Sequence, residues 1–182
     1  MRKVLYLLSQ LNDDDVGWLA QVGRKRRLED SKVLIREGEP IQNVYIVLDG
    51  HLTVNVAAVG SVAELGVGEI VGEISFVDSA PPSATVTARG PAVVLEVERS
   101  VLARRLDSDD GFGHRFYKAL SLFLADRLRG TVQRLGYGDT GTLDHPDVMA
   151  DELDVSLVDT VSQAGDRFQR LLRALHRAPA AS

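Results

Sequence analysis

Between residues 32 and 100 the apolar positions recur every second residue, and this switch of period constrains the fold more than any other feature. Val44, Ile46 and Leu48 alternate with Tyr45, Val47 and Asp49; Leu52, Val54 and Val56 alternate with His51, Thr53 and Asn55. Such alternation puts one set of side chains on a buried sheet face. Asp49-Gly50, between the two runs, is a tight-hairpin signal. Further strands are predicted at 32–35, 59–65, 84–88 and 93–97, with glycines at 38, 50, 60, 66, 68, 72 and 90 between or beside them. Many short strands with frequent glycine turns describe an antiparallel barrel, roll or sandwich.

On both sides of this region the period is helical. Residues 1–28 read as helix, with Val4, Leu5, Leu8 and Leu11 on one face. Asn12 or Asp13 is an N-cap for a second helix carrying Val16, Leu19, Ala20 and Val22, with acids in its first turn and Gly23 as its stop. The tetrad Arg24-Lys25-Arg26-Arg27 reads as a solvated helix end, where cations suit the macrodipole, or else as an anion or partner patch. After Glu98, Ser100 is placed to cap a short helix through Leu106, and 107–113 reads as a polar loop. Phe116, Leu120, Phe123, Leu124 and Leu128 then form a stripe on a longer helix over about 114–135, with Gly130 inside it. A glycine-rich linker, 136–146, leads to a last amphipathic helix bearing Val158, Val161, Phe168, Leu171, Leu172 and Leu175.

Composition narrows the chemistry. The formal net charge is −5, so no general attraction to nucleic acid or anionic membrane is expected. There is no cysteine, which removes disulfides, thiolate catalysis and cysteine metal sites. His51, His114, His145 and His176 are scattered, without a metal pair at helical spacing. Asp13-Asp14-Asp15 has no glycine-centred calcium loop around it. No nucleophile elbow or phosphate loop is present, so no residue is a catalytic candidate. The apolar run at 4–8 is too short to span a membrane and no cleavage site follows, so a cytoplasmic protein is expected.

Three pieces, in order, carry a resemblance. They are Val33-Leu34-Ile35-Arg36-Glu37-Gly38-Glu39, Val44-Tyr45-Ile46-Val47-Leu48-Asp49-Gly50, and Gly72-Glu73-Ile74 followed by Pro81 to Val86. Over about residues 5–135 the chain resembles the cyclic nucleotide-binding domain family, which includes catabolite-activator-type regulators and the regulatory subunits of cyclic AMP-dependent kinase. The resemblance implies an α+β fold: an antiparallel, jelly-roll-like β-roll with N-terminal helices and a C-terminal lid helix, here with an additional C-terminal helix. It divides the chain into a binding-like domain at 1–135, the linker at 136–146 and a helical appendage at 147–182.

It also implies a phosphate-binding cassette built from Gly72, Glu73, Ile74, Ser75, Pro82, Ser83, Ala84 and Thr85. In the family, amides at a short helix start point at the cyclic phosphate, a glutamate takes the ribose hydroxyl, and an arginine neutralises the phosphate. Glu73 and Ser83 match, but the arginine position is Pro82, which has neither a cation nor an N–H. Arg36, Arg89 and Arg127 are candidates to replace it. The implied ligand is a cyclic nucleotide, cyclic AMP or cyclic GMP, held atypically, or another small molecule. The implied function is a non-catalytic sensor whose ligand re-seats the helix at 114–135. The alternative is a ligand-free structural or protein-interaction domain. Residues 136–182 lack the paired short helices and basic surface of a winged helix-turn-helix, so DNA binding is disfavoured. The helical stripes suit a protein partner or a homodimer.

Overall fold

The structure is a computed structural model that describes residues 4–134 and 155–177. In chain order the elements are α1 (Val4–Gln10), α2 (Asp13–Val22), β1 (Arg24–Leu28), β2 (Val33–Ile35), β3 (Asn43–Val56), β4 (Gly60–Leu65), β5 (Ile70–Val71), α3 (Glu73–Asp78), β6 (Thr85–Glu98), α4 (Arg99–Ser108), α5 (Asp110–Arg134) and α6 (Val155–Arg177). The six strands form one antiparallel sheet of order β1-β6-β3-β4, with β2 also on β6 and β5 also on β3. The linker predicted at 136–146 lies outside the described residues.

Two strands of 14 residues, β3 and β6, organise the roll. They pair from Asn43↔Glu98 to Asn55↔Thr85. The early half of β3 and the late half of β6 are flanked by β5 and β1; the other halves are flanked by β4 and β2. Each long strand therefore passes through both walls of the roll. The bend falls at Gly50 (φ +78°) and Gly90 (φ +73°), where the register is irregular between Val47 and His51. A Cβ on Gly50 would lie 2.5 Å from the Pro91 carbonyl oxygen, so the crossing of the two strands requires glycine there.

This corrects the predicted hairpin at Asp49-Gly50: the positive φ that suits a turn serves a bend within one strand. For the same reason the runs at 84–88 and 93–97 are one strand. Arg24–Arg27 is not a helix end, because α2 stops at Gly23 and the tetrad forms most of β1. A side chain at Gly23 would meet Leu95 at 2.6 Å, so the chain turns off against the sheet. The loop predicted at 107–113 shrinks to Asp109, whose carboxylate accepts from the Phe112 N–H at 2.9 Å and opens α5. The helix before it starts at Arg99, one residue ahead of Ser100.

Among the described residues two buried clusters hold the fold together. One fills the roll, with Tyr45, Val47, Leu52, Leu65, Val86 and Val94 among its members. The other joins the opposite face of the sheet to the helices, through Leu8, Leu19, Leu95, Phe112, Phe116 and Leu171. The first-turn acid Asp15 is fully buried. It pairs in a fork with Arg115 of α5, at 2.6 and 2.9 Å, and accepts from the Asn12 N–H at 2.9 Å in a capping box. Ala164, Phe168, Leu171 and Leu175 of α6 are buried, and α6 lies against α1 and α2. Arg167 donates to the Leu8 and Ser9 carbonyls, both at 3.1 Å, where α1 ends. Among the described residues no helix is long and apolar enough to cross a membrane.

Candidate functional site

The site sits where β5 hands over to α3. Gly72 takes a left-handed conformation (φ +84°), and a Cβ there would be 2.8 Å from Ile41 Cδ1. Only glycine makes that turn without strain, and the turn delivers Glu73 to the start of α3. Arg99 then fixes α3 from behind, donating to the Ser75 carbonyl at 2.7 Å and to the Ile41 carbonyl at 3.0 Å. Phe76, one residue further, packs edge-on against Phe116 of α5 with centroids 6.3 Å apart. On the other rim, Pro82 accepts from the Gly38 N–H at 2.8 Å, which ties the segment before β6 to the turn after β2.

Between these rims lies a cavity of about 110 Å³. Its floor is apolar, from Ile35, Val54, Leu65, Val71 and Val86; its rim holds Gly72, Glu73, Ile74, Ser75, Pro82, Ser83 and Ala84. Seven of the eight residues expected from sequence are thus brought together, and Thr85 is not among them. Its hydroxyl instead accepts from the Glu37 N–H at 3.1 Å.

The cation comes from α5. Arg127 lines the cavity and pairs with Glu73, its guanidinium stacked over Phe123 at 4.7 Å. Of the three candidates it alone reaches the cavity: Arg89 pairs with Glu64 on the exposed surface, and Arg36 is exposed. The sequence offers Arg127 as one of three candidates but cannot choose it, because 54 positions separate Arg127 from Glu73 and their approach depends on how α5 packs on the roll. Glu73 is 2% exposed. Burial pushes its carboxyl above the ordinary range, the Arg127 charge opposes that shift, and nearby Glu69 adds to it. A buried acid, one cation on a separate helix and an apolar floor suit a small, partly anionic ligand with a hydroxyl donor.

Comparison with known proteins bears on the fold. Residues 25–109 match the family model described as cyclic nucleotide-binding domain. The chain is 39% identical over 87 residues to the Pycsar effector protein PaPycTIR of Pseudomonas aeruginosa, covering 47% of this chain and 28% of that protein. It is 31% identical over 104 residues to a cAMP-dependent protein kinase regulatory subunit of Eremothecium gossypii, covering 57% and 23%. The chain thus spans less than a third of the length of these curated relatives. Its fold is that of a cyclic nucleotide-binding domain from Methylobacillus flagellatus, with a TM-score of 0.66 at 23% identity, covering 78% of this chain and 85% of that one. Residues 25–109 thus match a cyclic nucleotide-binding domain, and the fold that holds them is that of a solved domain of this kind.

Proposed function

We propose that the chain is a non-catalytic, cytoplasmic sensor module that binds a cyclic nucleotide, with Arg127 of α5 supplying the cation that Pro82 does not. The observation that carries this is the Glu73–Arg127 pair in the lining of the cavity. A ligand phosphate would draw the guanidinium, while Glu73 would accept from a ribose hydroxyl. Because the cation belongs to α5, occupancy and the position of α5 become one equilibrium, and a ligand that prefers one seating of the helix shifts it. The contact of Phe76 with Phe116 gives the cassette a second grip on the same helix.

The cavity, at about 110 Å³, is below the roughly 300–1,000 Å³ of ordinary ligand sites. That supports a second reading, in which the ion pair closes a site that no longer takes ligand and the domain serves protein interaction. Calorimetry of the purified chain with cyclic AMP and cyclic GMP separates the two. Binding in the micromolar range, lost when Glu73 is replaced by alanine, supports the sensor. Absence of heat and of thermal stabilisation with both ligands supports the closed site.

A further inference from the structure

The basic tetrad has no part in the cassette, and its true setting gives it a different meaning. β1 pairs with β6 on one side only and ends the strand order, so its other backbone edge is open among the described residues. Arg24, Lys25 and Arg27 are exposed and make no ion pair or side-chain hydrogen bond among those residues; Arg26 sits 3.7 Å from Glu96. Successive strand residues face opposite sides, so two of these cations lie on each face. A flat anionic surface laid on either face would meet only two of them. An extended acidic segment added along the edge would meet the three unpaired cations, which lie on both faces, and pair with the free backbone groups. The cations also deter basic or apolar strands from the same edge, and the acidic balance of the whole chain leaves β1 as a local exception.

We infer that β1 is a docking edge for an acidic, extended peptide segment of a partner protein, bound by β-strand addition. The test uses the full chain and a fluorescent octapeptide with four consecutive glutamates between β-branched residues. A second peptide carries N-methyl groups on alternate backbone nitrogens, which removes strand pairing and leaves the charge. Saturable binding is expected, weakened about tenfold or more by R24E/R27E and abolished by N-methylation. Circular dichroism and the melting temperature of R24E/R27E check its fold, and the N-methyl comparison does not depend on that variant. Equal binding of the N-methylated peptide, no binding of either peptide, or tighter binding to a DNA duplex or to phosphatidylserine vesicles overturns the inference.

Discussion

Arg127→Met tests whether the cavity is built around one ion pair. The substitution keeps an apolar stem over Phe123 and removes the charge. Glu73, with its side chain 3% exposed, is left without its cation, whose own side chain is 26% exposed. Breaking a fully buried pair costs about 3–5 kcal/mol, and the partial exposure of Arg127 lowers that. Protonation sets a ceiling: a carboxyl with an ordinary value of 4.5 can be held neutral near pH 7 for about 3.4 kcal/mol, and near pH 5 for about 0.8 kcal/mol. In the native protein the Glu73 value is already raised, so its contribution is full below about pH 4.5 and is lost as pH rises through the folded value. Removing Arg127 raises that value further, and the penalty of the variant grows with pH.

The expected loss is therefore about 2–3 kcal/mol near pH 7 and below about 1 kcal/mol near pH 5. Urea titrations followed by Trp18, the single tryptophan, which packs 5.3 Å from Phe112, measure both. The double variant R127M/E73Q should return to within about 1 kcal/mol of the native protein, because a neutral amide needs no counter-ion. An equal loss at both pH values, or a loss below about 0.5 kcal/mol near pH 7, would mean that Glu73 does not depend on Arg127.

Pro82→Arg adds a cation at the rim while keeping the carbonyl that accepts from Gly38. Cyclic AMP affinity should rise about tenfold or more by calorimetry, and no gain would mean that the rim is closed to the phosphate. Asp15→Asn removes the charge and one of the two oxygens that Arg115 forks onto, and leaves one oxygen to accept from the Asn12 N–H. With Arg115 partly exposed, it should cost about 2–3 kcal/mol in urea denaturation, and a cost below about 1 kcal/mol would mean that the α2–α5 joint does not depend on that pair.

Local pattern carried much of the architecture. The period-2 runs marked every long strand, and the Gly72-Glu73 turn with Pro82 and Ser83 marked the cavity rim. What local pattern missed has one cause: a residue's meaning changed with its partner across the fold. Gly50 bends a strand because Pro91 crosses it at close range, although the same dipeptide makes a hairpin elsewhere. Arg24–Arg27 has no helical or strand periodicity of its own, and only its register with β6 makes it a strand. Asp15 looks like any first-turn acid until Arg115, 100 residues on, buries it. Arg127 is one of three candidate arginines, and only the seating of α5 on the roll selects it.

The most direct test of the account is the calorimetric affinity for cyclic AMP of the native chain beside R127M, each titrated near pH 7. If Arg127 is the cation of the site, the native chain binds and R127M weakens binding by about 2–4 decades, the equivalent of a broken buried ion pair. If the native chain does not bind, or R127M binds as tightly as the native chain, the account is contradicted.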